Sequence, residues 1–251
     1  MFPLLLLATV SSVGQAQQER SPRIVAARAV VAAIVQAAEA NRKQPRPLRG
    51  DELTQHYVRT AARTAQTLEA SQGGQAFLLG IGVALDPSSL IRNNLLVAST
   101  WRQIESDTER RTRLAVLGEP QIHGRHDLAQ HFAVSAALTV ALGEKGAESA
   151  GLLKETLDAR EGGSGFSFAD LGANYAGISL AKRVLADPGK RLAQLEKTFR
   201  PRDFVPDPRG LIEGLTTKQF ESRFGGLNDA RFRKAREQLL QQITALPGYQ
   251  D

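Results

Sequence analysis

The sequence predicts an all-α protein, a multi-helix orthogonal bundle built as one main domain. Apolar residues recur at three- and four-residue spacing along most of the chain, which is the period of an amphipathic helix. Candidate caps and turns, such as Ser21-Pro22 and Asp187-Pro188-Gly189, divide these stretches into helix-sized segments. We find no internal repeat and no convincing β-hairpin signal. With 42% hydrophobic and 23% charged residues, the composition is that of a globular protein.

The N-terminal segment predicts export. An apolar run over residues 4–10 is followed by small residues, with a plausible cleavage point after Ala16, so residues 1–16 are interpreted as a signal peptide. No Lys or Arg precedes the apolar run, which leaves a weak membrane anchor as the alternative. We therefore expect a periplasmic or extracellular protein, which would be membrane-associated if residues 1–16 act as an anchor. Since no later apolar run approaches the roughly 20 residues that cross a bilayer, the mature chain is expected to be soluble or peripheral.

Charge and cysteine content narrow the function classes. The formal net charge of +6 favours an anionic envelope partner, either a lipid head group or a cell-wall polymer. Acids are interspersed among the basic residues, so a solvated basic surface is the simpler interpretation. No finger-type or RNP-type signature is present, and no nucleic-acid partner is expected. The absence of cysteine excludes disulfides, thiolate metal sites and a lipid-modified cysteine.

Five helical segments are predicted before the central part of the chain. The first starts at a Ser21 cap with Pro22 in its first turn and ends before Pro45. The second is capped by Asp51 and stopped by Gly73-Gly74. Residues 76–85 are almost wholly apolar and fit a buried helix or a strand; flanking helices favour helix. The remaining two segments cover 90–101, after a turn at 86–88, and 105–117, where acids and bases alternate at helical pairing distance.

A loop over 118–124 leads to the central helices, predicted at 127–142, 147–159 and 168–185. A short helix follows at 190–198, which completes a helical domain over 21–198. Residues 199–215 carry Pro201, Pro206 and Pro208 and predict an extended connection on the surface. This connection and a terminal helical pair, at 217–224 and 228–245, form a C-terminal region over 199–251.

The candidate site lies in the central motif, residues 125–180, where polar side chains interrupt apolar helical sequence. His131 stands among apolar residues, so its imidazole must be desolvated unless it is bonded; a satisfied core histidine and a functional one are both consistent with this. Asp127 shares its face, but Gln130 three residues later also makes Asp127 a candidate N-cap. His126 is five residues from His131, about 140° around the helix, so the two do not form a zincin-type pair.

The next two helices carry the carboxylates. Glu155 and Asp158 lie one turn apart, with Arg160 nearby, and fit either metal or acid/base chemistry or an exposed charged face. Ser167 and Asp170 have capping-box spacing, which explains both structurally. Asn174 is one turn after Asp170 and is surrounded by small residues, which let a neighbouring helix approach closely. The Gly-rich segment 161–165 lacks the Gly-Lys-Ser/Thr ending of a phosphate loop and predicts a turn.

These residues resemble a known pattern. His131-Phe132, Lys154-Glu155, Asp158 with Arg160, and the segment 163–168 with Asp170 resemble the YfiM-like family of small bacterial envelope lipoproteins. The order His-Phe, Glu, Arg, Asp, Asn, Gly is similar, more loosely, to VanZ-like membrane proteins. The matching positions are His131, Glu155, Arg160, Asp170, Asn174 and Gly177. The likeness covers residues 125–180 only, and it implies an envelope protein without implying a reaction.

Three functions are consistent with these observations. The first is an exported envelope protein whose polar cluster is a structural or ligand-binding centre. The second is a metal-dependent or acid/base hydrolase of a cell-envelope substrate, with His131, Glu155 and Asp170 as catalytic residues. The third is a peripheral binder of anionic lipid. Asp127, Asp158, Arg160 and Asn174 are the candidate ligand-binding residues. No cofactor is evident, although a divalent metal ion fits the side-chain types, and the oligomeric state is left open.

Overall fold

The computed structural model describes residues 21–88 and 90–250, and within these ranges it is all-α. Eleven α-helices and no strand occur in the described residues, which confirms the predicted multi-helix bundle. The predicted signal peptide, residues 1–16, lies outside the described residues. The helices are α1 Pro22–Arg42, α2 Gly50–Gln66, α3 Ala70–Ala84, α4 Leu90–Asn93, α5 Ala98–Ile104, α6 Asp107–Val116, α7 His126–Asp158, α8 Phe168–Ala186, α9 Pro188–Thr198, α10 Thr217–Phe224 and α11 Ala230–Thr244.

Helix α3 runs through the centre of the bundle, with α1, α2 and α7 packed around it. Close approach is possible because α3 presents glycines to its neighbours. A Cβ atom on Gly82 would lie 2.2 Å from the Cβ of Ala137 in α7, and one on Gly80 would lie 2.4 Å from the side chain of Val30 in α1. The most extensive contact joins α7 to α8, so these two helices form the rigid pair that positions the candidate site.

Helix α1 confirms the first predicted helix, although the hydroxyl of Ser21 makes no capping hydrogen bond. By length and composition, α1 is the one described helix able to span a membrane: its most apolar stretch has a mean hydropathy of 1.4, and 44% of it is buried within the bundle. This corrects the expectation that no later apolar run approaches membrane-spanning length. Buried core helices and N-terminal signal sequences share the same composition, so α1 alone does not assign a location.

Two predicted helix boundaries are wrong at the next connection. Helix α2 begins at Gly50, so Asp51 lies in its first turn; its carboxylate instead accepts hydrogen bonds from the backbone amides of His123 and Gly124. Gly73 and Gly74 do not stop α2. They lie inside α3, where a Cβ on Gly73 would lie 2.7 Å from a carbonyl oxygen of α2. The glycines are therefore required for helix packing rather than for termination.

The segment predicted as one helix over 90–101 consists of two short helices, α4 and α5. Helix α6 confirms the fifth predicted helix and starts with a complete capping box between Ser106 and Glu109. It also contributes Arg113, whose buried guanidinium donates to the carboxylate of Glu105 at 2.6 Å. Both side chains of this ion pair are buried, and the pair connects α6 to Glu105 in the segment that precedes it.

Helix α7 contains both of the first two central helices. Gly143 interrupts it with φ 76° and ψ 171°, outside the helical region, so that residues 126–142 and 144–158 run in different directions. Positive φ at this position favours glycine, because a Cβ would be strained there. The predicted division into two helices is thus confirmed in substance, and the bend lets both halves face α8.

The connection 199–215 is extended as predicted, but it is not confined to the surface. Phe204 and Val205 are buried, and a single bridge pairs Phe166 with Leu215. The terminal pair, α10 and α11, is confirmed. Both helices contribute to a cluster of stacked and edge-on aromatic rings, which packs the C-terminal region against the start of α8: Phe166, Phe168, Phe220, Phe224 and Phe232.

Candidate functional site

The bend in α7 and its packing on α8 bring three separate helical segments to one buried point. The first half of α7 supplies His131, the second half supplies Glu155, and the first turn of α8 supplies Asp170. One ligand-type atom from each of the three residues lies within 4.8 Å of the others. The sequence predicted the three side chains separately, and the structure shows that they meet. We call these three residues the buried triad.

Small residues make this approach possible, as the sequence predicted. A Cβ on Gly177 of α8 would lie 2.1 Å from the carbonyl oxygen of Phe132, the residue after His131. On the opposite side, a Cβ on Gly151 would lie 3.0 Å from the amide nitrogen of Asn174. The first half of α7 therefore packs against the backbone of α8 at Gly177, and the second half packs against the side chain of Asn174 at Gly151.

The orientation of His131 is fixed by an amide. Its Nδ1 lies 3.0 Å from Oδ1 of Asn174, and the hydroxyl of Ser135 donates to the same oxygen at 2.8 Å. Because an amide oxygen only accepts, Nδ1 of His131 carries the proton, and Nε2 of the neutral ring presents a lone pair. That lone pair faces the carboxyl of Asp170, with 3.4 Å between Nε2 and Oδ2.

Glu155 is the most deeply buried member of the triad. Its side chain is 0% exposed, and only one of its oxygens is satisfied: Oε2 accepts from the backbone amide of Ser167 at 3.0 Å. Burial, together with the neighbouring carboxyl of Asp170, raises the pKa of Glu155 to about 8. A glutamic acid that is protonated near neutral pH in a helical interior is unusual, and such groups cluster at functional sites.

Asp170 links the triad to a surface network. The hydroxyl of Ser167 accepts a hydrogen bond from the amide of Asp170, so half of the predicted capping box exists. The carboxylate of Asp170 does not complete the box; it faces His131 and accepts from Arg125 at 3.2 Å. The structural explanation offered for Asp170 from its spacing is therefore incomplete. Burial raises its pKa, whereas the nearby imidazole of His131 opposes that rise.

Asp127 lies at the edge of this network rather than in an N-cap. Helix α7 begins one residue earlier, with Arg125 as the N-cap residue, and Gln130 donates to Asp86 instead of to Asp127. The predicted capping box at this helix start is wrong. The carboxylate of Asp127 accepts a hydrogen bond from the guanidinium of Arg125 at 2.6 Å. Burial acts to raise the pKa of Asp127, but the interaction with Arg125 outweighs it, so the pKa is lowered. His126 is separate, with its Nδ1 3.0 Å from the carbonyl oxygen of Pro120.

The other two predicted binding residues have different positions. Asp158 accepts from Lys154 at 2.6 Å, and both line a cavity beside the triad. Arg160 is exposed just beyond the end of α7, and its guanidinium pairs with none of the described residues. The structure therefore brings Asp158 to the site and leaves Arg160 outside it.

Burial governs the protonation of the triad. It lowers the pKa of His131, and the opposing attraction of Asp170 is smaller. It raises the pKa of both carboxyl groups. Burial therefore disfavours the charged forms of both His131 and Asp170, which weakens the ion pair between them. A cation that binds to the triad at neutral pH must displace the proton of Glu155, whose pKa is near 8.

A cavity of about 490 Å³ opens beside the triad, between the two halves of α7 and the α4 region. His131 and Asn174 lie on its wall, and Lys154 and Asp158 lie nearer its mouth. We call it the His131 cavity. Its volume is in the range of small-molecule sites. The imidazole of His131 therefore stands between the buried carboxyl groups on one side and an accessible space on the other.

Two buried polar atoms at this site have no hydrogen-bond partner among the described residues: Oε1 of Glu155 and Nδ2 of Asn174. The ammonium of Lys154 lies 3.9 Å from Oε1 of Glu155, which is too far for a hydrogen bond. Native interiors leave few such atoms unpaired. A bound cation would satisfy the carboxyl oxygen, and a hydrogen-bond acceptor in the cavity would satisfy the amide of Asn174.

The buried triad could hold a metal ion. Its donor set is one imidazole nitrogen and two carboxyl oxygens, with Nδ1 of the imidazole already bonded to Asn174. Metal-ligating histidines characteristically donate their second ring nitrogen to a neighbouring oxygen, which fixes the tautomer. The side-chain types in the buried triad thus support the prediction that a divalent metal ion fits this site.

Sequence reasoning missed several contributors. Ser135 is four residues after His131, on the same helix face, and this spacing was a usable signal. Arg125 directly precedes the helix that was recognised, but nothing local indicates that it bridges three acids. Glu213 accepts from Arg125 at 2.7 Å and from the hydroxyl of Ser167 at 3.1 Å. It comes from the C-terminal connection, which no local pattern ties to the central motif.

No protein-family model, no curated protein and no solved structure matches this chain. The resemblance of residues 125–180 to YfiM-like and VanZ-like proteins stays a prediction that none of these comparisons tests.

Proposed function

We propose that this chain is an exported ligand-binding protein of the bacterial envelope, and that its ligand at the buried triad is a divalent metal ion. One observation carries the proposal: the tautomer of His131, fixed by Asn174, points a lone pair at the carboxyl group of Asp170, and a carboxyl oxygen of Glu155 lies within 4.8 Å of the same ring. Burial raises the pKa of Glu155 to about 8, and a cation that displaces its proton would satisfy the Glu155 oxygen that accepts no hydrogen bond. The signal-like N-terminal sequence supports the exported location.

The surrounding charges favour a cation. Two cationic side chains, Arg125 and Lys154, share the network with a larger number of carboxyl groups: Asp127, Glu155, Asp158, Asp170 and Glu213. An imidazole with carboxylates and no thiolate suits zinc, manganese or ferrous iron better than copper(I) or an iron–sulfur cluster. The three ligand atoms, which lie within 4.8 Å of one another, would have to come closer together on binding.

Titration of chelator-treated protein with zinc and with manganese tests this proposal. We expect one ion per chain and the release of protons at pH 7, because the carboxyl groups must ionise to bind. Asp170→Asn is expected to weaken binding by more than the 10- to 100-fold that outer residues of metal sites contribute. Asp207→Asn makes the same change at an exposed residue of the C-terminal connection and should leave the affinity nearly unchanged. Equal losses in both variants, or no binding by the wild type, would refute the proposal.

A hydrolase is the second candidate, and the His131 cavity is the observation that favours it. A carboxyl group with a pKa near 8 can act as a general acid at neutral pH, and an imidazole beside it can act as a base. His131 lines the cavity, and Glu155 lies behind it in the buried triad, so a substrate in the cavity would contact the imidazole directly. Turnover of ester or amide substrates that is lost in Glu155→Gln, without loss of folding, would move this candidate ahead of simple binding.

A further inference from the structure

The His131 cavity is lined by aliphatic side chains together with polar ones. Apolar side chains from three helical segments line it, among them Ile91, Val134, Leu138, Leu153 and Leu157. The polar residues include Gln130, His131, Lys154, Asp158 and Asn174, and a hydrogen bond from Lys154 to Asp158 pairs two of them. An aliphatic lining with a few hydrogen-bonding groups suits a molecule that has an aliphatic part and one compact polar head.

The mouth of the cavity exposes leucines that a soluble protein would normally cover. Leu153 is 59% exposed and Leu157 is 45% exposed, and both lie on the second half of α7 at the cavity wall. Since an aliphatic ligand entering between α7 and α4 would bury these side chains, its binding would remove apolar surface from water on both partners.

The polar end requires an acceptor. Nδ2 of Asn174 is a hydrogen-bond donor on a residue that is only 4% exposed, and it has no partner among the described residues. The oxygen of the same amide is occupied by His131 and Ser135, so Asn174 cannot rotate to satisfy the donor without breaking two bonds. The ammonium of Lys154 lies on the same wall. An oxyanion or carbonyl oxygen is therefore the complementary head.

We propose that the His131 cavity binds a medium-chain aliphatic carboxylate, or the equivalent acyl group of a lipid, with its head at Asn174 and His131 and its chain along the leucine-lined wall. This inference rests on the proposed function, because the head is placed beside the buried triad. A carboxylate there faces the amide donor of Asn174 and the ammonium of Lys154, and it is adjacent to any cation held by the triad. The chain extends toward Leu153 and Leu157.

The direct test is calorimetric titration of metal-loaded and of chelator-treated protein with hexanoate, octanoate, decanoate and dodecanoate. We expect affinity to rise about fourfold for each methylene that enters the cavity, and then to level off. Decyltrimethylammonium matches the chain length with a cationic head and should bind at least tenfold more weakly than decanoate. Equal binding of the two heads, or an affinity independent of chain length, would overturn the inference.

Two variants separate the head from the chain. Asn174→Asp keeps the acceptor for His131 and Ser135 but replaces the unpaired donor with an oxygen, so decanoate should bind at least tenfold more weakly. Asn228→Asp makes the same change between α10 and α11, outside the cavity, and should change affinity little. Leu138→Trp fills the cavity and should abolish the chain-length dependence. An unchanged decanoate affinity in both Asn174→Asp and Leu138→Trp would place the ligand elsewhere and refute the inference.

The two proposals fail in different ways. Stoichiometric metal binding combined with a flat chain-length series contradicts the acyl-ligand inference alone. A normal chain-length series with no metal binding contradicts the proposed metal centre and removes the cation from the description of the head site, while the cavity ligand stands. Melting curves of each variant without ligand show whether a loss of decanoate binding is due to unfolding. If Leu138→Trp unfolds the protein, the milder Val134→Phe substitution takes its place in the same titration.

Discussion

Replacing Glu155 with glutamine tests the physical state of the buried triad in the absence of metal. The substitution keeps the shape of the side chain and an oxygen that can accept from the amide of Ser167, but it removes the ionisable proton. In the metal-free protein, Glu155 is costly to ionise because it is fully buried beside Asp170. We therefore expect Glu155→Gln to stabilise the chelator-treated protein, which is the opposite of what removal of an ordinary buried ion-pair partner does.

The magnitude and its dependence on pH follow from the pKa. An unfolded glutamic acid titrates near 4.5, whereas folded Glu155 titrates near 8. Below the lower value both states are protonated and nothing is lost. Between the two values the unfolded chain releases its proton and the folded chain keeps it, so wild-type stability falls as pH rises. At about 1.4 kcal/mol per pH unit, the loss by pH 8 is at most roughly 5 kcal/mol.

The assay is a set of melting curves at pH 5, 6, 7 and 8 in excess chelator. The difference in melting temperature between Glu155→Gln and the wild type should be small at pH 5 and should widen toward pH 8. At about 2–4 °C per kcal/mol for a chain of this size, the difference should reach at least 5 °C. Glu161→Gln makes the same change at an exposed site and should run parallel to the wild type. A difference that stays constant from pH 5 to pH 8 would refute the reasoning.

Three other predictions follow from the same structure. Gly177→Ala should lower stability by about 1–3 kcal/mol and abolish metal binding, because its Cβ would meet a backbone carbonyl of α7 at 2.1 Å. The control is Gly189→Ala, whose Cβ meets nothing within 4 Å and which should melt like the wild type. Equal melting temperatures of the two variants would contradict the packing argument. Arg113→Met should cost about 3–5 kcal/mol in chemical denaturation, because it leaves the buried carboxylate of Glu105 with only the more distant guanidinium of Arg92, 3.7 Å away. A cost below 1 kcal/mol would show that the pair with Arg113 is not needed. Nitrogen NMR of His131 at pH 7 should show a neutral ring protonated on Nδ1, and protonation on Nε2 would overturn the orientation assigned to Asn174.

The helical architecture was predictable because it depends on local sequence patterns. Periodicity, proline and capping residues act over one or two turns. Helix α8 begins at Phe168 as predicted, and α6 and α9 begin within two residues of the predicted starts at 105 and 190. The errors came where tertiary packing overrode a local signal. Gly73-Gly74 has the composition of a stop, yet Gly73 permits the approach of α2 to α3, and Gly74 packs against α8 and α9. No feature of the local sequence distinguishes these two roles.

The candidate site was predictable in its members but not in its geometry. His131, Glu155 and Asp170 were identifiable because each interrupts an apolar helical stretch where a polar group is expensive. Their convergence depends on the bend at Gly143 and on the separation set by Gly177, which are properties of three-dimensional packing. Arg160 resembled a site residue by its position in the chain, but α7 ends before it, and it is exposed.

The most direct test of the buried metal centre is anomalous diffraction from crystals of the zinc-loaded protein, recorded on both sides of the zinc absorption edge. The proposed centre predicts one strong anomalous peak, about 2.0–2.2 Å from Nε2 of His131 and from a carboxylate oxygen of both Glu155 and Asp170. A map with no peak among these three side chains, or with zinc bound only at other histidines such as the half-buried His56, would contradict the metal centre and leave the triad as buried structural polarity.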